Sequence, residues 1–194
     1  MNDDGLLIEL SQAGDKTAFD ALIRKYEKRA YQYAYRLTSN QDEASDIVAD
    51  AFVRVYSALK NFRGQSAFGT WLYRILTNCY LDMRKRERNR KHESLESTLQ
   101  IDGGEVQRQF VDESDGPSEI LERNERESAV QDALTNMPEY QKAMLVMYHV
   151  ELLSYEEISE ALDLPIGTVK SRLNRARLAL RDHLAKDMEL FQLG

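Results

Sequence analysis

Cysteine is almost missing from this 194-residue chain, Cys79 being the only one. An internal disulfide is therefore impossible, and a structural zinc site built on paired cysteines is excluded. Histidine is scarce as well: His92, His149 and His183 lie far apart, and no metal-ligand spacing or nucleophile motif joins them. Each reads as a surface or packing residue, and no cofactor is expected. No stretch approaches the roughly 18 to 20 continuous apolar residues of a membrane span. The N-terminus MNDDGLLIEL carries acids where a signal peptide needs bases, which predicts a cytoplasmic protein without membrane insertion. Internal repeats are absent, and no strand-like alternation lasts more than a few residues, so the chain reads as all-α. Cys79 falls on an apolar helix face and reads as a small buried hydrophobe rather than a redox sensor.

What is present is charge, unevenly spread. The net charge is -7, yet residues 61–92 carry +6 and residues 165–194 carry +3, while residues 93–138 carry -9. Two basic islands of this size can each touch a few phosphates although the whole chain is acidic. From Glu93 to Ser118 helical periodicity fails, Gly103, Gly104, Gly116 and Pro117 accumulate, and most charges are acidic, which predicts a flexible linker over 93–118. Two small helical domains, 1–92 and 119–194, follow.

In the first, Phe19, Leu22, Tyr26, Ala30, Tyr33 and Leu37 recur at three- and four-residue steps and predict a long core helix ending near Ser39 and Asn40. The next helix, Asp42 to Leu59, turns Ala44, Ile47, Val48, Ala51, Val55 and Leu59 inward. On its other side Asp42, Asp46 and Asp50 surround Ala49 and Val53. That pattern suits a docking face for a basic partner, or equally a solvated acidic face. Gly64 and Ser66 then mark a turn, Ser66 or Thr70 is placed to cap a helix, and from Trp71 that helix carries Leu72, Ile75, Cys79 and Tyr80 inward. It runs into Arg84, Lys85, Arg86, Arg88, Arg90 and Lys91. An aromatic turn beside a cationic helix end suits single-stranded nucleic acid, whose bases stack on rings while cations hold the backbone. Phe62, Phe68 and Trp71 are equally readable as core.

The second domain carries a sharper signal. Ser154 three residues before Glu157 is a capping box opening a short helix with Ile158, Ala161 and Leu162 inward. A turn over Asp163 to Gly167 leads to a helix from about Thr168. Its core side is Val169, Leu173, Ala176, Leu180 and Leu184, and Lys170, Ser171, Asn174 and Arg175 stand opposite. This is a helix-turn-helix, whose second helix enters the DNA major groove. Leu178 falls on the polar side, where the helix leaves the groove or meets another protein surface.

Three stretches, DEASDIVADAFVRVYSALKNF, FRGQSAFGTWLYRILTNCYLD and LSYEEISEALDLPIGTVKSRLNRAR, stand in this order with the acidic linker between the second and third. Together they resemble the bacterial RNA polymerase sigma factors of the extracytoplasmic-function (ECF) group, over nearly the whole chain. The resemblance implies sigma region 2 over 1–92 and region 4 over 119–194. It implies that Asp42, Asp46, Ala49, Asp50 and Val53 bind the beta-prime clamp helices of core RNA polymerase, and that the second domain meets the beta flap. The turn Phe62, Arg63, Gly64, Gln65, Ser66 and Ala67, backed by Trp71 and Asn78, would capture a flipped base of the minus-ten element, with Arg74, Arg84 and Arg86 on the backbone. Thr168, Lys170, Ser171 and Asn174 with Arg175 would read the minus-thirty-five element, and Arg172 and Arg177 would hold phosphates. An anti-sigma factor is an implied partner beside promoter DNA, and catalysis would belong to the polymerase. The chain departs from the pattern at Ala49, where relatives often have Gln, and at Leu152 or Leu153, where they often have Gly. The competing reading is a stand-alone helix-turn-helix regulator that binds duplex operator by itself. A nucleic-acid enzyme fits less well, since the basic islands hold no clustered carboxylates for metal ions.

Overall fold

The computed structural model describes residues 3–94 and 129–185; most of the expected linker, and residues 119–128 of the expected second domain, lie outside them. Among the described residues there is no strand. Helix α1 spans Asp3–Gln12, α2 Lys16–Thr38, α3 Gln41–Ala58 and α4 Phe68–Ser94, with a 3-10 turn at Leu59–Asn61. A helix described over 129–135 (α5) precedes α6 (Glu139–His149), α7 (Tyr155–Leu162) and α8 (Ile166–Leu184).

Side-chain chemistry sets the helix ends. Asp15 caps α2 by accepting from the Thr17 and Ala18 amides at 2.8 and 3.2 Å. Ser39 ends α2 in the left-handed region (φ 58), and Asn40 at once caps α3 by accepting from Asp42 and Glu43. Two residues thus reverse the chain, and α3 lies back along α2. Asp42 and Glu43 in the first turn of α3 also complement the positive end of its dipole. The expected α2 and α3 stripes are the observed core: Leu22, Ala30, Tyr33 and Leu37 are fully buried, as are Ala44, Ala51 and Val55.

Helix α4 begins three residues before the Trp71 expected, so neither Ser66 nor Thr70 sits at its N-cap position; Thr70 is buried in the first turn. Its inward face is Phe68, Leu72, Tyr73, Leu76, Cys79 and Tyr80, while Ile75 is only half-buried. Thr77 pairs with the buried Tyr33 hydroxyl at 2.7 Å. Burial pushes the Cys79 thiol up to about 11, which keeps it protonated and hydrophobe-like.

In the second unit the capping box is complete: Ser154 accepts from the Glu157 amide at 3.1 Å, and Glu157 accepts from the Ser154 amide at 2.8 Å. Helix α8 starts at Ile166, directly after Pro165, two residues earlier than the turn chemistry of Gly167 suggests. Val169, Leu173 and Ala176 are its buried residues, and Leu180 and Leu184 are half-buried at its far end.

The two units share one continuous hydrophobic core, with α6 against α2 and α4, and α7 against α4. Lys142, 3% exposed, donates to the Leu37 carbonyl at 3.0 Å, and Gln131 donates to the Arg36 carbonyl at 3.1 Å. Tyr73 donates to Glu151, and Thr70 to Glu157 at 3.4 Å. Burial first, and then the Arg84 charge, brings the Lys142 ammonium down to about 8. Its folded value is below the unfolded 10.5, so between those pH values the unfolded chain holds the extra proton and stability rises with pH. Thermal unfolding midpoints should climb from pH 8 to about 9, above which ionisation of the Cys79 thiol and then of tyrosines in the unfolded chain opposes the trend, and Lys142→Met should flatten that climb.

Leu152 stands at φ 56 and is 80% exposed, so it bears left-handed backbone strain with almost no burial in return. The departure from glycine before SYEE therefore has a physical address. Leu152→Gly should raise unfolding stability by about 1 kcal/mol in urea titration, the relief of strain outweighing the added unfolded-state entropy.

Candidate nucleic-acid and partner interfaces

Three surfaces emerge from these helices. The first is the outer face of α3. Asp42, Asp46, Ala49 and Asp50 are exposed, and Val53 is 67% exposed, because their partners one step round the helix are the buried Ile47, Val48 and Ala51. Tyr56, 58% exposed and edge-on to Phe19 at 5.1 Å, extends the apolar part of this face. Sequence spacing does not reveal it, because it lies nearly two turns beyond the last of the acids, Asp50. Beside it a cleft of about 300 Å³ is lined by Asp46, Ile47, Ala49, Asp50, Cys79, Met83 and Arg86.

The second surface forms at the start of α4. Phe68 is buried at 3%, and it holds Phe62 and Trp71 at ring distances of 6.2 and 5.7 Å, with Tyr26 behind at 5.0 Å. Phe62 and Trp71 lie 4.7 Å apart and are half-buried, so each presents one part to the core and one to a cavity of about 290 Å³. The core reading thus holds for Phe68 and only in part for Phe62 and Trp71. Arg63, Gln65, Ser66 and Arg74 line the same cavity, as do Glu160 and Ala161 of α7. Gly64 sits at φ 66, a conformation that turns the loop and that glycine adopts without strain.

Not all of the expected minus-ten set gathers there. Asn78 is exposed further along α4 and does not line the cavity. Arg84 comes about 140° round the helix from Trp71. It donates to Glu43 and Glu87, both at 2.7 Å, and lies 5.5 Å over the Tyr80 ring. Those carboxylates raise its pKa against the opposing effect of burial. Arg86 lines the cleft beside Asp46 and Asp50 instead.

The third surface is α8. Ser171, Asn174 and Arg175 are exposed on the side away from Val169 and Leu173. Three cations flank them over aromatic rings: Lys170 over Tyr155 at 5.6 Å, Arg172 over Tyr140 at 5.3 Å and Arg177 over Tyr148 at 4.5 Å. Arg177 also donates to His149 at 3.1 Å, and burial together with the Arg177 charge holds His149 below its usual value. The three tyrosines come from α6 and α7, which is why spacing along α8 could not reveal them. Thr168 is half-buried, and its carbonyl accepts from Ser171 at 3.0 Å. Among the described residues no group of His, Cys, Asp or Glu could hold a metal ion, and no helix is long and apolar enough to cross a membrane.

The fold and these surfaces define a helix-turn-helix protein with a second helical unit, whose aromatic rings and two arginines face α7 across a cavity. Residues 22–90 match the family Sigma-70 region 2, and residues 127–180 match Sigma-70, region 4. The chain is 36% identical over 180 residues to the RNA polymerase sigma-H factor of Pseudomonas aeruginosa, covering 91% of each. It is 37% identical over 177 residues to the ECF RNA polymerase sigma-E factor of Haemophilus influenzae, covering 90% of this chain and 91% of that one. Among solved structures, CnrH in complex with the cytosolic domain of CnrY aligns at a TM-score of 0.66 and 21% identity, over 96% of this chain and 99% of that one. RpoE in complex with the anti-sigma factor NepR from Bartonella quintana aligns at 0.60 and 23% identity, over 86% and 96%. At such identities the structural likeness is one of fold. This chain belongs to the ECF group of the sigma-70 family of RNA polymerase sigma factors.

Proposed function

We propose that the three surfaces divide the work of promoter recognition. The α3 face with Asp42, Asp46, Ala49, Asp50 and Val53 docks on the beta-prime clamp helices of core polymerase, and the Tyr56 ring extends that contact. The pocket walled by Phe62 and Trp71 captures a base flipped from the minus-ten element, with Arg63 and Arg74 on the strand. Flipping costs a few kcal/mol of lost stacking, which stacked rings and adjacent cations offset. Helix α8 reads the minus-thirty-five element through Ser171, Asn174 and Arg175, while Lys170, Arg172 and Arg177, steered by their tyrosines, hold phosphates at the groove edges. Exposed Leu178 supports a contact between this unit and the beta flap. Residues 1–92 and 119–194 are the two domains in this reading, joined by an acidic linker over 93–118. The chain works in the cytoplasm, has no catalysis of its own and leaves bond formation to the polymerase. An anti-sigma factor is a partner of the same kind as that named with the solved RpoE.

The observation that carries this reading is the cavity at the start of α4, where two half-buried rings and two arginines face one volume of about 290 Å³. Glu160 stands in its wall, and a carboxylate there repels a phosphate strand. Minus-ten reading therefore needs α7 to move off α4, and the polymerase supplies that separation by holding the two units apart. Transcription by core polymerase from a promoter library, with and without the chain, tests the function. New start sites sharing two spaced elements are expected; unchanged start sites, or tight sequence-specific binding by the free chain, would overturn it. Replacing Asp50 and Val53 together with Arg should abolish core binding in a pull-down while circular dichroism stays unchanged. Asn174→Ala or Arg175→Ala should relax selectivity at the upstream element, a lost bidentate base contact costing about 1–3 kcal/mol in competition binding by the holoenzyme.

A further inference from the structure

Helix α1 precedes the stretch that matches region 2, and none of the surfaces above uses it. It is nevertheless fastened at its end to a wall residue of the aromatic cavity and at its start to the ring packed behind it. At its start Asp4 accepts from Lys25 at 2.6 Å and from the Tyr26 hydroxyl at 2.7 Å, and the Tyr26 ring packs on Phe68. At its last residue the Gln12 amide donates to the Leu59 carbonyl at 2.9 Å and to the Phe62 carbonyl at 2.8 Å, across 47 and 50 residues of sequence.

Those two carbonyls bracket the 3-10 turn from which the loop departs. The Leu59 carbonyl also accepts from the Phe62 amide at 3.0 Å. A primary amide has two N–H groups, and here each meets one carbonyl. The peptide plane after Phe62 is thereby oriented from outside the loop. Phe62 is at the same time one ring wall of the cavity, and Arg63 is the next residue. Without this clamp the carbonyls would turn to water, and the Phe62 ring would lose the fixed angle that stacking requires.

We infer that Gln12 is a positioning residue for minus-ten recognition, setting the geometry of the loop at Phe62 and Arg63 without touching DNA. The inference rests on the base-capture reading of that cavity. Binding energy at a captured base depends on placement of the stacking ring, so loss of the clamp should appear in base discrimination rather than in polymerase docking, which uses α3.

Gln12→Met keeps length and packing but removes both donors. Holoenzyme carrying this variant, on a promoter recovered from the library and its single-base minus-ten variants, should show about a five- to tenfold smaller ratio of open complex between preferred and non-preferred bases, by permanganate reactivity. Affinity for core polymerase and selectivity at the upstream element should be unchanged. Gln12→Lys, whose ammonium can donate to both carbonyls, should restore most of the discrimination. A parallel variant within the loop, Gln65→Ala, tests the reading beneath. If Gln65→Ala alters minus-ten discrimination and Gln12→Met does not, the positioning role is overturned and base capture stands. If neither alters it, both fall. Equal losses of core affinity and discrimination in Gln12→Met would reduce Gln12 to a helix anchor and overturn the role. Should Gln12→Met fail to fold, Gln12→Lys decides: wild-type discrimination supports the clamp, and its loss in a folded protein overturns it.

Discussion

The carbonyl end of α2 is the joint on which both units depend. A helix end leaves its last carbonyls without intrahelical partners, and these must be satisfied wherever water is excluded. Here the chain answers in two ways at once. Ser39 turns left-handed and its amide returns to the Tyr35 carbonyl, while Asn40 opens α3. The Arg36 and Leu37 carbonyls are met from the other unit, by Gln131 and Lys142. The Tyr35, Arg36 and Leu37 carbonyls thus serve both the reversal into α3 and the attachment of α5 and α6 to α2. Because α3 is locked by that reversal, its acidic and apolar side faces outward, with Asp42, Asp46, Ala49, Asp50 and Val53 exposed.

This packing gives the uneven charge of the chain a structural meaning. Glu43 and Glu87 occupy Arg84, and Glu160 of α7 faces the cavity that Arg63 and Arg74 line. Cations available to a nucleic-acid strand are fewer than a count along α4 suggests, and carboxylates of the chain itself compete for that strand's place. Burying the Lys142 ammonium makes the contact between the units costlier than an apolar one.

Periodicity alone made the α2 and α3 cores legible, since Leu22, Tyr33, Leu37, Ile47 and Val55 each repeat an inward direction that no neighbouring helix is needed to define. The capping box at Ser154 and Glu157 was equally plain, because both partners lie within one turn. Helix α4 was read less well. Its first turn is held by Phe68 and Thr70 packing against other helices, so the polar residues before it gave a false start. The acidic and apolar face of α3 was legible as five positions, and Tyr56 escaped because it lies beyond the acids that mark that face.

What the linear order of residues determined here is whatever acts within a few turns of helix: helical class, inward stripes, caps and the helix-turn-helix. Those interactions have short range, so type and spacing suffice to specify them. Tertiary packing alone decided that Arg84 is bound to carboxylates, that Lys170, Arg172 and Arg177 lie over tyrosines, and that Gln12 clamps a loop 50 residues away. Each of these depends on the mutual placement of helices, and that placement comes from the sum of many weak, non-directional contacts which no local pattern encodes.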